Sequence, residues 1–94
     1  MPVLRLSRLA EADLEQIGDY IAQDNPGAAA AFIMQIIETC TLLAGSPKIG
    51  RDRSNLRPNT RSFPVGRYVV FFQMVPGGIE VLRVLHGARD IRWL

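Results

Sequence analysis

The chain has 94 residues, 48% of them hydrophobic and 21% charged, and a net charge of +2. This composition excludes a disordered or collagen-like protein, and the length fits one domain, residues 1–94, with a modest core. The charge is uneven: residues 1–47 carry −4, from two arginines and six acidic residues, and residues 48–94 carry +6, from nine basic and three acidic residues. Such asymmetry is typical of a surface for an acidic partner, either nucleic acid or protein.

Several other classes are excluded. The longest uninterrupted apolar run, Ala28–Met34, is far shorter than a membrane span, and charged residues near the N-terminus interrupt any signal peptide. A single cysteine, Cys40, cannot form an internal disulfide, which agrees with a reducing environment. Cys40 and His86 are the only soft metal ligands, and no phosphate-binding loop is present. We therefore expect a cytoplasmic protein without a metal or other cofactor.

The first predicted elements are a strand and a helix. Val3–Leu6 is a short apolar segment typical of a strand. Ser7 follows as a helix N-cap, because its hydroxyl can accept a hydrogen bond from an amide of the first turn. The helix places Leu14, Ile17 and Ile21 on one face. The neighbouring face is predicted to be solvated, because acidic residues recur on it every four positions: Glu11, Glu15 and Asp19.

A second helix is predicted to begin after Asn25, with Pro26 at its first position, and to end near Gly45. Few residues separate it from the first helix, so the two should form an antiparallel αα-hairpin. Its apolar stripe is wide and consists of Ala29, Phe32, Ile33, Ile36, Ile37, Cys40 and Leu43. Residues 45–60 follow as a loop with at most one helical turn, and its basic residues are Lys48, Arg51, Arg53 and Arg57.

The last third of the chain is predicted to form strands. These are Arg61–Val65, Arg67–Val75 and Ile79–Leu85, with a corner at Gly66, a hairpin turn at 76–78 and a tail at 86–94. In the last two strands, the residues that face either side of the sheet are mostly apolar. A sheet with one solvated face would instead alternate apolar and polar residues along each strand. Two helices cover one face only, so the other face needs the tail, the basic loop or another chain. This pattern favours a protein-binding surface.

His86 is the candidate for acid–base chemistry. It follows the last predicted strand near Arg83, Arg89 and Asp90, and could act as general acid or base beside phosphate-binding arginines in RNA cleavage. A hydrogen-bonded histidine at a strand end is the favoured alternative, because no second titratable group of suitable pKa accompanies it. On a regular strand Arg83 and His86 point to opposite faces. Cys40 is predicted to be a buried structural thiol, because it lies on an apolar helix face.

The arginines of the second half are the most distinctive residues. Arginine makes planar, bidentate contacts with carboxylates and phosphates. A row of them could follow a phosphate backbone or bind acidic patches of a protein, and these are Arg51, Arg53, Arg57, Arg61 and Arg67. Nucleic-acid binding by stacking also needs exposed aromatics nearby, and only Tyr68 and Trp93 qualify. A protein partner is therefore favoured over direct nucleic-acid binding.

An ordered set of segments covers nearly the whole chain. They are Leu6–Leu14, Asp19–Ile21, Asn25-Pro26 with its Ala-rich helix, Ser46–Arg51, Leu56–Pro58, Arg61–Phe72 and Ile79–Ile91. Each is weak alone, but together and in this order they resemble the ParE branch of the RelE/ParE toxin superfamily. The resemblance implies an α+β fold, with an N-terminal αα-hairpin packed on a small antiparallel β-sheet, as the periodicity also indicates. Gly18 departs from the family, since relatives often have a large aromatic there.

The resemblance also implies a function. This chain would be the toxin of a bacterial type II toxin–antitoxin pair. A ParD-like antitoxin would bind it in a hetero-oligomer and neutralise it. Such toxins are understood to inhibit DNA gyrase without being enzymes, and contact with DNA is expected only through the antitoxin. We predict antitoxin contacts at Arg57, Arg61, Arg67, Tyr68, Val70 and Phe72. We predict target contacts at Arg83, His86, Arg89 and Trp93.

Two alternatives stay open. The RelE branch of the superfamily cleaves mRNA on the ribosome, and the corresponding catalytic residues here would be Arg61, Arg83 and His86. No lysine accompanies them and the predicted sheet is mostly apolar, so the ParE interpretation is preferred. The other alternative is a toxin-like fold that only binds an antitoxin.

Overall fold

The computed structural model describes residues 1–87, so the predicted tail beyond Gly87 lies outside the described residues, and with it Arg89 and Trp93. The helices are α1 (Arg8–Ala22) and α2 (Pro26–Gly45), followed by a single 3₁₀ turn at Pro47–Ile49. The strands are β1 (Val3–Leu6), β2 (Arg51–Asp52), β3 (Thr60–Val65), β4 (Tyr68–Val75) and β5 (Gly78–His86). The predicted helices and strands are therefore confirmed. His86, which was predicted to begin the tail, is instead the last residue of β5, and β2 is an additional short strand within the basic loop.

Both helix starts have the predicted caps. The Ser7 hydroxyl accepts a hydrogen bond from the Ala10 amide at 3.0 Å and donates one to the Leu82 carbonyl at 2.7 Å. The Asn25 side chain accepts from the Ala28 amide at 3.0 Å. These bonds satisfy amides of the first turn that have no partner inside the helix. Ser7 thus fixes the start of α1 and ties it to β5.

The five strands form one sheet in the order β1-β5-β4-β3-β2. The β2–β3, β3–β4 and β4–β5 pairs are antiparallel, as predicted. β1 pairs in parallel with β5, so the complete sheet is mixed. Gly66 and Gly77 form the two hairpin turns with φ of +58° and +83°, a region that glycine adopts without steric cost. Gly78 lets β1 approach, because a Cβ at this position would lie 1.8 Å from the Val3 carbonyl oxygen.

The core lies between the two helices and one face of the sheet. Its fully buried members include Ile36 and Leu43 of α2 and Ile79 and Val81 of β5. Val70 and Phe72 of β4 also belong to this cluster and are 0% exposed. Their prediction as antitoxin contacts is therefore wrong, because the helices already bury both side chains.

A β-bulge interrupts the pairing of β4 with β5. Phe71 pairs with Arg83 and Phe72 pairs with Val81, which leaves Leu82 as an extra residue in β5. The inserted residue changes the alternation of side chains between the two halves of the strand. Val81 and Val84 consequently belong to the same core cluster although they are three residues apart.

The second face of the sheet is also buried at its centre. Phe71 and Leu85 are each 2% exposed, and Leu82 is 8% exposed, although none of them belongs to the cluster beneath the helices. A second chain is therefore not needed to bury these three residues. This removes the main sequence argument for an open apolar face at this position.

Among the described residues, α2 is the one helix long and apolar enough to cross a membrane by length and composition. The core helix of a soluble protein passes the same test. Ile36, Cys40 and Leu43 are at most 1% exposed, so one face of α2 packs within the core.

Candidate functional site

Two adjoining cavities open between α1 and the ends of β4 and β5. Their volumes are about 560 and 320 Å³, and Tyr20, Tyr68 and His86 line both. We call them together the Tyr68 groove. Its other lining residues are Asp13, Gln16, Ile17, Ile21, Phe32, Gly66, Arg67 and Val84. Most of this surface is apolar, which is typical of sites that accept an apolar group from a ligand or partner.

Aromatic contacts build the floor of the groove. Tyr68 packs against Phe32 of α2, with ring centroids 5.7 Å apart, and against His86, whose ring meets it edge-on at 5.4 Å. Tyr68 and His86 face each other because they are paired residues of β4 and β5. Gly66 turns the chain between β3 and β4, and a Cβ there would lie 3.1 Å from the Phe32 ring. The tight turn thus brings Arg67 and Tyr68 against α2.

A buried ion pair supports the groove from the α1 side. Arg83 donates to Asp13 from Nε at 2.7 Å and from Nη2 at 2.8 Å, and the Val84 amide donates to the same carboxylate at 2.9 Å. Asp13 is 7% exposed. The hydrogen bond to Asp13 raises the pKa of the Arg83 guanidinium above its usual value. The pair therefore holds α1 on β5 at the bulge and fixes the wall of the smaller cavity.

The structure brings together some of the predicted site residues and separates others. Arg67, Tyr68 and His86 meet in the groove, where Arg67 and His86 are exposed and Tyr68 is half-buried. Arg57 is exposed in the loop before β3, whereas Arg67 follows that strand. Six strand residues span about 20 Å, so Arg57 and Arg67 do not share a site.

Within residues 1–87, the contacts described for the three residues of the ribonuclease alternative lie in different places. The Arg61 guanidinium donates to the Gly50 carbonyl at 2.7 Å, Arg83 is bonded to Asp13, and His86 packs on Tyr68. Only His86 lines the groove, because neither Arg61 nor Arg83 borders either cavity. This arrangement does not assemble a catalytic set around one substrate position.

The basic loop is ordered by its own hydrogen bonds. Arg53 donates from Nε to the Ser62 hydroxyl at 2.9 Å. The Ser54 amide donates to the Asp52 carboxylate at 2.7 Å, and hydrogen bonds from Ser54 lower the pKa of Asp52. Arg53 of the loop and Arg61 of β3 are half-buried, whereas Arg51 and Arg57 are exposed.

Cys40 is a buried thiol, as predicted. It is 1% exposed in the core of α2, and burial raises its pKa to about 11. The thiolate is the reactive form, so this environment suppresses nucleophilic chemistry. In residues 1–87, no three His, Cys, Asp or Glu side chains lie together as metal ligands.

Sequence reasoning missed three residues of the site, namely Asp13, Tyr20 and Phe32. Asp13 carried a usable signal, because it is the acidic member of an α1 face otherwise formed by Ala10, Leu14 and Ile17. A charge at such a position is buried and needs a partner. Tyr20 and Phe32 carried no comparable signal, since their part in the groove depends on how the helices meet the β3–β4 turn.

Comparison with known proteins agrees with this architecture. Residues 4–91 match the model of the family described as ParE toxin of type II toxin–antitoxin system, parDE. The chain is 36% identical over 93 residues to Toxin ParE1 of Caulobacter vibrioides, covering 98% of this chain and 96% of the relative. It is 33% identical over 89 residues to Toxin ParE1 of Mycobacterium tuberculosis, covering 92% and 90%.

A solved structure shares the fold. It is titled as a chromosomal ParDE TA system from P. aeruginosa, with a TM-score of 0.75 and 26% identity. The similarity covers 92% of this chain and 96% of that chain. Two helices on a five-stranded sheet are therefore the shared fold.

Proposed function

Because this chain belongs to the ParE toxin family of type II toxin–antitoxin systems, we propose that it inhibits DNA gyrase as a non-enzymatic toxin and that a ParD-like antitoxin neutralises it. The proposal places antitoxin contacts in the Tyr68 groove. The chain's similarity to a ParDE system supports an antitoxin as the partner. The gyrase part rests on the family resemblance.

One observation carries the proposed binding role. Tyr20 is 69% exposed at the wall of a 560 Å³ cavity, next to the exposed Arg67. Tyrosine and arginine are the residues that most often contribute large binding energies to protein interfaces. An apolar antitoxin side chain would fill the cavity, and a neighbouring carboxylate would pair with Arg67. This also fits the acidic partner that the charge asymmetry predicts.

The separate partners of Arg61 and Arg83 support a non-enzymatic mechanism. Each guanidinium is hydrogen-bonded within the fold, to Gly50 and Asp13 respectively. A phosphate in the groove would meet His86 and Arg67 but neither Arg61 nor Arg83, so the three residues named for the ribonuclease would not act on it together. Binding to a large protein target needs no such set.

The test is induction of the chain in a bacterial host, with and without its neighbouring small reading frame as the candidate antitoxin. We expect growth arrest, loss of plasmid supercoiling and a DNA-damage response, all suppressed by the antitoxin. Normal supercoiling during arrest would reject gyrase as the target. Growth without arrest would support a chain that only binds an antitoxin.

The ribonuclease alternative retains one observation, the exposed His86 in the groove. His86→Gln tests it cleanly, whereas an Arg83 variant also breaks the ion pair with Asp13. We expect neither the wild-type chain nor His86→Gln to cleave translated mRNA on induction. A change of toxicity in His86→Gln without any mRNA cleavage would instead reflect its predicted target contact. Cleavage by the wild-type chain that is lost in His86→Gln would establish the ribonuclease instead.

A further inference from the structure

Among residues 1–87, no strand pairs with the outer edge of β1. It is the first strand in the sheet order and pairs only with β5. Val3 and Ser7 donate their amides to the Gly77 and Val81 carbonyls at 2.8 and 2.9 Å, so the odd-numbered residues of this segment bond inward. Backbone groups alternate along a strand. The amides and carbonyls of Leu4 and Leu6 therefore point outward.

Nothing in the described part of the chain forms hydrogen bonds with the outward amides and carbonyls of Leu4 and Leu6. The register of β1 involves β5 alone, and the hydrogen bonds outside helices and strands do not involve Leu4 or Leu6. The opposite edge of the sheet is protected in two ways: β2 has only two residues, and Pro64 of β3 has no amide to donate. β1 has neither a proline nor a bulge, so its edge remains competent for pairing.

We propose that β1 is a docking edge for an extended segment of a protein partner, with an acidic residue opposite Arg5 and apolar residues on both sides of it. Backbone hydrogen bonds to Leu4 and Leu6 would supply the pairing, as in other cases of strand addition. The inference goes beyond the proposed function, because β1 lines neither cavity of the Tyr68 groove. A peptide probe can test it without the antitoxin.

The side chains of β1 define the pattern of this partner. Leu4 and Leu6 are half-buried against the core, whereas Val3 and Arg5 are exposed on the other side of the strand. Residues of an added strand beside Leu4 and Leu6 would extend the apolar layer. The residue between them would lie beside Arg5. Glu80 of β5 is the register neighbour of Arg5 on its inner side, and no ion pair joins the two among residues 1–87.

The position of Arg5 also disfavours a second copy of the chain as the occupant. Antiparallel pairing of two β1 strands through Leu4 and Leu6 would place Arg5 of one copy directly opposite Arg5 of the other. Like charges at directly opposed positions destabilise a strand pair. An acidic residue at the same position is favourable, so the charge selects a different chain.

Amide hydrogen exchange measured by NMR tests the proposal. The probe is the blocked peptide acetyl-Thr-Val-Glu-Val-Thr-amide, and its matched control carries Lys in place of Glu. Saturating probe should slow exchange of the Leu4 and Leu6 amides by about tenfold or more, because an added strand protects them. The Val3 and Arg5 amides serve as internal controls, since they face β5 and should change little.

Charge reversal tests the choice of partner. Wild-type chain should bind the Glu peptide about fivefold more tightly than the Lys peptide, and Arg5→Glu should invert that order. Arg5 is exposed, so this variant should fold. Unchanged exchange at Leu4 and Leu6, or equal affinity for both peptides, would overturn the proposal. Concentration-dependent protection of these amides without peptide would also overturn it, because a second copy would then occupy the edge.

Discussion

Asp13 of α1 and Arg83 of β5 form a bidentate ion pair in the interior of the protein, with Nε–Oδ2 and Nη2–Oδ1 distances of 2.7 and 2.8 Å. The Val84 amide supplies a third hydrogen bond to the same carboxylate. Removing one partner of a buried ion pair leaves the other charge buried and unpaired. The pair therefore sets how strongly α1 is held on the sheet.

We expect Asp13→Ala to lower the free energy of unfolding by about 3–5 kcal/mol, measured by urea denaturation. Glu15→Ala is the matched control, because Glu15 is exposed one residue beyond Leu14 and should change stability by less than about 0.5 kcal/mol. A double variant, Asp13→Leu with Arg83→Met, should be more stable than Asp13→Ala, since it leaves no unpaired charge. Equal stability of Asp13→Ala and wild type would contradict this account.

Gly78→Ala should release β1 from the sheet. A Cβ at Gly78 would overlap the backbone of Val3, which lies 1.8 Å away at its carbonyl oxygen. We expect a loss of about 1–3 kcal/mol in the free energy of unfolding and faster exchange of the Val3 and Arg5 amides. Gly27→Ala is the control, because its nearest atom would lie at 3.5 Å. Unchanged exchange in β1 would show that the strand tolerates the added methyl group.

Gly18→Ala should instead stabilise the protein. Gly18 lies within α1, where glycine costs about 1 kcal/mol relative to alanine. An added Cβ would meet Ile33 at 3.6 Å, an ordinary van der Waals contact. We expect the free energy of unfolding to rise by about 0.5–1 kcal/mol and the melting temperature to rise with it. A fall in either quantity would mean that the two helices cannot accept the methyl group.

The Cys40 thiol should make stability fall at alkaline pH. Its folded-state pKa is about 11, above the ordinary value of 9.0, because burial disfavours the thiolate. The unfolded chain therefore loses this proton at lower pH, so stability is full below about pH 9 and declines as the pH rises through about 11. The expected loss is up to about 3 kcal/mol, since each pKa unit corresponds to about 1.4 kcal/mol. Cys40→Ala should have a shallower decline over this range in urea denaturation, and identical slopes would reject the assignment.

Tyr20→Ala should weaken antitoxin binding about 30-fold with little effect on folding, because Tyr20 is 69% exposed at the groove. Leu42→Ala is the matched control, since Leu42 is also 69% exposed on a helix but lies outside both cavities. Isothermal titration calorimetry with the purified candidate antitoxin provides the affinities. A larger loss for Leu42→Ala than for Tyr20→Ala would place the antitoxin on α2 instead.

Local patterns predicted most of the fold. Ser7 and Asn25 marked the helix starts by their chemistry, and Gly66 marked a turn, since each signal lies within a few residues of its effect. The parallel pairing of β1 with β5 has no such local signal, because the two strands lie at opposite ends of the chain. The bulge at Leu82 was also missed, as nothing in an apolar strand indicates an extra residue.

The candidate site was harder to predict. Val70 and Phe72 alternate with Phe71 in an all-apolar strand, so the sequence could not show which face the helices cover. Arg83 looked free for a target or substrate because its partner, Asp13, is 70 positions away in the sequence. The sequence itself singled out Tyr68 as an exposed aromatic and His86 as an acid–base candidate, whereas Tyr20 became part of the site only when α1 packed beside them.

The parallel pairing of β1 with β5 bears on when the protein can fold during synthesis. β1 is made first, but its pairing partner is the last strand described, and the core residue Asp13 also bonds to Val84. Contacts between distant residues form late, after the intervening chain is available. β5 must therefore leave the ribosome before the fold can close. Any activity that needs the folded chain is therefore delayed until β5 has been made.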